Sequence, residues 1–251
     1  MKALITGASS GIGLDMARYL STKKWELILV ARNKEKLEEI QEQLPTKVTI
    51  IVADLSNEQR VKDLYVIAKK ENVDVLINNA GLGDFGYLTD TDINKDLELI
   101  NTNIKALHIL TKYMVREMEN KDTDTYILNV ASAAAFQPGP LMSTYYATKS
   151  YVYQLTEALY YEEKIKKTKV HVSVLCPGPV DTNFNNVANV KFSVKPLKST
   201  YVAKYAIDKM LEGKLLIIPG FKMKCARFFG KFVPNKLMLK ITYNIQKKKA
   251  S

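Results

Sequence analysis

Two cysteines, two histidines and one tryptophan are all that 251 residues contain of those types. Cys176 and Cys225 read as buried small hydrophobes, not as a disulfide or metal site. His108 and His171 stand isolated, so no metal site is expected. No run of 18 apolar residues occurs, so no membrane-spanning helix is expected. The first strand pattern begins at Lys2 and leaves no room for a signal peptide. These absences together predict a cytoplasmic, metal-free protein. Acidic residues stop at Glu212. Residues 1–213 hold 27 basic and 26 acidic side chains, whereas residues 214–251 hold 10 basic and none acidic. The net charge of +11 therefore belongs to the last segment. The chain lacks a recognisable nucleic-acid module and aromatics suitably interleaved with the tail's basic residues, so no nucleic-acid partner is expected.

What the sequence does hold is alternation. Strand patterns fall near 3–5, 26–31, 48–53, 73–77, 126–130, 170–175 and 215–218. Helical patterns lie between them, at 34–44, 58–70, 93–119 with a break near Asn101, about 145–164, and 200–211. Strand–helix alternation predicts a single doubly wound α/β domain, with a parallel sheet of about seven strands flanked by helices. The domain is expected over 1–220, with a loop of unclear period at 183–198. A basic amphipathic helical segment follows at 221–251. Polar and glycine clusters stand just after strands, at Gly7, Arg32, Asp54, Asn79, Ser132 and Gly178. In open α/β sheets that is where ligands bind.

The first of these clusters is Thr6-Gly7-Ala8-Ser9-Ser10-Gly11-Ile12-Gly13, between a strand and a helix. Its glycines permit positive φ and close backbone approach, and free amides at the helix start suit a phosphate. Alone, the loop fits a tight turn as well as a nucleotide site. Its spacing also differs from the commoner G-x-G-x-x-G fingerprint. A second feature is Tyr145 and Lys149, four residues apart on one helix face, about 6 Å apart at Cβ. A free tyrosine has a pKa near 10. An adjacent ammonium favours the phenolate and lowers that value.

Taken together, the residues resemble the short-chain dehydrogenase/reductases. The matching pieces are Thr6-Gly7-x-x-x-Gly11-x-Gly13, Asp54, Asn78-Asn79-Ala80-Gly81, Asn103, Ser132, Tyr145-x-x-x-Lys149 and Pro177-Gly178-x-Val180-x-Thr182. They run in order across about residues 1–220, and Ser132 precedes Tyr145 by the family's usual interval. The resemblance implies a Rossmann-type fold, and a role for each position. Tyr145 is the implied general acid/base and Lys149 its helper and ribose ligand. Ser132 is the implied partner of the reacting oxygen, and Asn103 the support of a proton-relay water. Gly7, Ser9, Ser10, Gly11, Ile12 and Gly13 are implied to hold the pyrophosphate, and Asp54 with Leu55 the adenine. Asn79, Ala80 and Gly81 line the cofactor floor. Pro177, Gly178, Val180 and Thr182 hold the carboxamide. Hydride transfer is then the cofactor's chemistry, and the protein supplies orientation and a proton. Taken singly, Asp54 reads also as a strand-end cap, Asn79 as a turn residue and Ser132 as a loop serine.

An NAD-specific dinucleotide fold places an acid at the end of the second strand. Here that place reads Ala31-Arg32-Asn33, and an arginine suits a 2′-phosphate. NADP(H) is therefore expected over NAD(H), although Arg32 also reads as a surface charge. The expected activity is hydride exchange between nicotinamide and a small-molecule carbonyl or secondary alcohol. A 3-oxoacyl-thioester reductase is the narrower alternative, and a catalytically silent nucleotide-binding scaffold or sensor the alternative of another class. Phe184, Val187, Val190 and Phe192 fit a substrate pocket or an ordinary core. Homodimer or homotetramer assembly is expected. The tail repeats Phe221, Cys225, Phe228, Phe229 and Phe232, then Leu237, Met238, Ile241 and Ile245 after Pro234. That pattern fits a helix packed by its apolar face on the domain or a second subunit, or one lying on a membrane surface or acidic partner.

Overall fold

Parallel strands buried on both faces read as nearly continuous apolar runs, and Ala3-Leu4-Ile5 is such a run. The computed structural model describes residues 1–182, 184 and 195–247. Its main sheet contains β1 (Lys2–Thr6), β2 (Glu26–Ala31), β3 (Val48–Val52), β4 (Val75–Asn78), β5 (Thr125–Val130), β6 (Val170–Leu175) and β9 (Leu216–Ile217). All seven are parallel, in the order β3-β2-β1-β4-β5-β6-β9. The order reverses direction between β1 and β4. That switch point is where a crevice opens beyond the carboxyl ends of the strands.

Alternate residues of β1 and β2 feed opposite layers. Ala3, Ile5, Leu27 and Leu29 pack against α1 (Gly11–Thr22), α2 (Lys34–Gln43) and α7 (Ser199–Leu211). Leu4, Ile28 and Val30 pack against α3 (Glu58–Lys70) and α5 (Leu107–Met118). Leu4, Ile5, Leu27 and Ile28 are at most 1% exposed. Each buried side chain of that size stabilises the fold by about 1.5–3 kcal/mol, so the strand ends that carry the polar clusters are rigidly held.

Near Asn101, where the sequence pattern suggests a break, the helix instead widens. Asn101–Ala106 forms a π-helical turn between α4 (Ile93–Ile100) and α5. Such turns are uncommon and concentrate at functional sites; this one holds Thr102 and Asn103, both buried. The long α6 (Ser143–Lys166) carries Tyr145 and Lys149. A two-strand ladder, β7 (Val180–Asp181) with β8 (Leu197–Lys198), ties the ends of the loop between them. Val187, Val190 and Phe192 of that loop lie outside the described residues.

The tail forms α8 (Phe221–Gly230) and α9 (Asn235–Lys247), separated near Pro234. The apolar face does not pack on the domain. Phe221, Phe228, Phe229 and Phe232 are exposed, and α9 instead buries Thr242 and Gln246. No helix among the described residues is long and apolar enough to cross a membrane.

Candidate active site

A cavity of about 460 Å³ opens over the switch point. Of the residues singled out in the sequence, Gly7, Ser9, Ser10, Gly11, Ile12, Arg32, Leu55, Asn79, Ala80 and Gly81 line it. So do Ser132, Tyr145, Lys149, Pro177, Gly178, Val180 and Thr182. Gly13, Asp54 and Asn103 are not part of this lining, and their contacts give them supporting positions.

The glycine loop is fixed from below. Asn79 Nδ2 donates to the carbonyls of Thr6 and Gly7, both at 3.0 Å. Thr6 Oγ1 accepts from the Asn79 and Ala80 amides, also at 3.0 Å. Gly7 has φ +65°, and a Cβ there would sit 2.8 Å from Ala80 Cα. At Gly13 a Cβ would meet Asn79 Nδ2 at 2.4 Å and the Gly7 carbonyl at 2.5 Å. The loop then enters α1 at Ser10, whose side chain makes no capping bond, and the first turn carries no acid. The first amides of a helix have no intrahelical acceptor. Here they face the cavity without a side-chain cap, which is the arrangement an anionic group needs. Beyond the loop, Ala31, Arg32, Ala53 and Leu55 form a slot at the far end of the cavity. A phosphate cradle that shares its cavity with Ala31, Ala53, Leu55 and one arginine fits a dinucleotide.

Asp54 is exposed, and its Oδ1 accepts the Ser56 amide at 2.9 Å. It therefore shapes the turn that presents Leu55. Arg32 reaches the rim but is paired there, Nη1 to Glu98 Oε1 at 2.8 Å, with both side chains substantially exposed. Sequence reading missed Glu98, which lies on α4, 66 residues away.

At the other end, Lys149 Nζ is buried and donates to the Val130 carbonyl at 2.9 Å. It lies 5.8 Å from the Tyr145 ring centre. Burial pulls the lysine down to about 8. It pushes Tyr145 up to about 12, opposed in part by the Ser132 hydroxyl. The lysine–tyrosine spacing alone suggests a lowered tyrosine. In the folded protein desolvation outweighs the Ser132 hydrogen bond, and the phenol is held in its protonated, donating form. Ser132 Oγ also accepts the Ala134 amide at 3.1 Å. Asn103 is fully buried. Its Oδ1 accepts the Leu82 amide at 2.8 Å, and its Nδ2 donates to the Leu82 carbonyl and Thr148 Oγ1 at 2.9 and 3.1 Å. Its side chain thus clamps the Gly81–Leu82 turn to α6. Gly81 allows close packing there, since a Cβ would meet Lys149 Nζ at 3.1 Å.

The sequence matches the short chain dehydrogenase family over residues 1–191. The chain is a member of that family. It is an oxidoreductase acting on CH–OH groups with an NAD(P) cofactor. An uncharacterized oxidoreductase from Staphylococcus epidermidis is 34% identical over 183 residues, covering 72% of this chain and 78% of that protein. Among solved structures, a short-chain dehydrogenase from Sphingobium yanoikuyae in complex with NADPH is 26% identical. It superposes with a TM-score of 0.83 over 92% of both chains. A 3-ketoacyl-(acyl-carrier-protein) reductase from Brucella melitensis complexed with NADH is 25% identical, with a TM-score of 0.77 over 87% of this chain and 96% of that one.

This short-chain dehydrogenase closes its cavity with residues the motifs do not contain. Met142, Tyr146, Phe184 and Gln246 line the end beside Tyr145. Phe184 packs 5.5 Å from the Tyr145 ring, centre to centre. Gln246 arrives from α9 and donates to the Tyr146 hydroxyl. Cys176 is fully buried near Lys149, and burial pushes its thiol up to about 12, so it is inert. Cys225, expected to be buried, is partly exposed on α8.

Proposed function

We propose that the protein is an NADP(H)-dependent carbonyl reductase, run in either direction by substrate supply, with Tyr145 as general acid/base. The observation that carries this reading is the meeting of Tyr145, Ser132 and Lys149 in one cavity with the uncapped α1 terminus and Arg32. Gly7 to Gly13 would hold the pyrophosphate, Leu55 would pack on the adenine and Arg32 would meet the 2′-phosphate. The bound nicotinamide supplies the hydride. The Tyr145 hydroxyl, held protonated by burial, gives its proton to the substrate oxygen as charge grows there. The Ser132 hydroxyl donates a hydrogen bond to the same oxygen. Lys149 is buried beside the tyrosine and favours the phenolate that results. Asn103 fixes the Gly81–Leu82 turn against α6 and so keeps Lys149 in place.

The substrate end is largely apolar, with Met142, Phe184 and the two tyrosines, which supports a ketone with a sizeable apolar substituent. Likeness to a 3-ketoacyl reductase supports a 3-oxoacyl thioester as the second reading. Oxidation of NADPH and of NADH by the purified protein, with cyclic ketones and 3-oxoacyl thioesters in parallel, tests both. Turnover with neither cofactor on any carbonyl contradicts the reading. Ile93, Leu97 and Ile100 form an exposed stripe on α4, which supports assembly as a homodimer or homotetramer. Light scattering reads that directly.

A further inference from the structure

Helices α8 and α9 dock on the domain by one face and expose another, and the exposed faces carry the large apolar side chains. On α8 the docked residues are Met223 and Arg227. Met223 packs against Gly178, where a Cβ would come within 2.8 Å of it. The Arg227 guanidinium lies 4.3 Å from the Phe136 ring centre. On the opposite face Phe221 is 80% exposed and Phe228 and Phe229 are exposed as well, and just past the helix Phe232 is 72% exposed. Phe228 packs edge-on against both Phe229 and Phe232, so these rings form one exposed aromatic cluster. On α9, Thr242 and Gln246 are buried, while Leu237, Ile241 and Ile245, at i, i+4 and i+8, are exposed. A soluble monomer seldom leaves such a cluster bare.

Charge identifies what covers it. Lys222, Lys236, Lys240 and Lys247 are exposed on these same two helices, and Lys231 is exposed between them. The segment after Glu212 contains no acid. An isologous contact with a second copy would bring two such cationic faces together. An anionic surface complements both the lysines and the apolar stripe, as in helices that lie in the plane of a bilayer interface. We propose that α8 and α9 dock this protein on an anionic lipid surface, with the phenylalanines and α9's aliphatic stripe in the acyl boundary and the lysines among the headgroups. α9 also supplies Gln246 to the cavity, so docking sets the mouth of the site at the bilayer. Delivery of a lipid-dissolved carbonyl to that mouth rests on the reductase reading; the docking itself does not.

The full-length protein should co-sediment with vesicles of phosphatidylcholine containing phosphatidylglycerol, and not with phosphatidylcholine alone. Binding should weaken as salt rises, because screening sets in beyond about 8 Å at physiological ionic strength. Each lysine near such a surface contributes roughly fivefold to partitioning. The double variant Lys236→Gln/Lys240→Gln should therefore lose roughly 25-fold, and Phe228→Ser/Phe232→Ser roughly tenfold or more. Both variants should keep wild-type oxidation of NADPH with a water-soluble ketone. No sedimentation of wild type with anionic vesicles overturns the proposal. So does binding that the phenylalanine variant leaves unchanged. A dimer that the phenylalanine variant splits, with no vesicle binding, assigns the face to a second copy and overturns it as well. Vesicle binding without any NADPH oxidation would instead count against the reductase reading and leave the docking standing.

Discussion

Gln246 donates its amide to the Tyr146 hydroxyl across 100 residues of sequence, and the bond fastens the last helix over the substrate end of the cavity. The other polar atom of this buried amide has no partner among the described residues. Turning the amide over only exchanges which atom is left bare. An unmet polar group in a buried site costs about 1–3 kcal/mol. A substrate hydroxyl, which both donates and accepts, would satisfy either orientation. Gln246→Leu should then raise KM for hydroxylated ketones by about tenfold and leave KM for purely hydrocarbon ketones unchanged or lower. Equal KM changes for both series would reduce Gln246 to a packing residue.

The glycine loop makes a steric prediction. A methyl group at position 13 would sit 2.5 Å from the Gly7 carbonyl and 2.4 Å from the Asn79 amide that braces the loop. Gly13→Ala should weaken cofactor binding by more than tenfold and lower the melting temperature. Gly230→Ala meets only Met238, at 3.5 Å, and should be neutral or slightly stabilising. Isothermal titration with NADPH and thermal melts of both variants check this.

The Arg32–Glu98 pair governs the cofactor preference proposed here. Glu98 holds the guanidinium at 2.8 Å and competes with a 2′-phosphate for it. Exposed pairs of this kind contribute about 0–1 kcal/mol. Glu98→Gln should therefore tighten NADPH by up to about fivefold. Arg32→Ala should weaken NADPH by about tenfold or more, the worth of a charge-assisted bond, with NADH little changed. Dissociation constants for both cofactors in both variants decide it, and parallel changes for NADH would contradict the assignment.

Lys149 gives the reaction its pH dependence. Burial brings its pKa down to about 8 from the ordinary 10.5. Above pH 8 the ammonium is lost, and with it the stabilisation of the Tyr145 phenolate. The reductive kcat/KM should fall as pH rises through about 8. Lys149→Met should be slow and lack that limb. Stability should move the opposite way. The folded protein binds this proton less tightly than the unfolded chain, so the contribution of Lys149 to stability increases with pH between about 8 and 10.5. A kcat/KM flat to pH 10 would remove the lysine from the mechanism.

Much of this site is legible in the sequence because its signals are local. Gly7, Gly11, Asn79, Ser132, Tyr145 and Lys149 each follow a strand or share a helix face, and the parallel sheet brings all strand ends to one edge. The seven-stranded sheet follows from the same alternation. Four features are not legible, for separate reasons. Gln246 sits between Ile245 and Lys247 in an amphipathic tail, and nothing in that pattern says that the polar side docks. Glu98 meets Arg32 only through the placement of α4 against the end of β2. The direction of the Tyr145 shift depends on how much water the cavity walls exclude, which residue spacing does not encode. The π-helical turn at Asn101–Ala106 belongs with these, since the sequence marks the place but not the geometry.

The central claim is that the Tyr145 hydroxyl carries the proton. Tyr145→Phe keeps the ring, and with it the packing on Phe184 and the shape of the cavity. Single-turnover oxidation of bound NADPH by a ketone substrate should slow by about 100-fold or more in this variant, while the NADPH dissociation constant stays within about twofold of wild type. Turnover near the wild-type rate, with cofactor binding intact, would contradict the account.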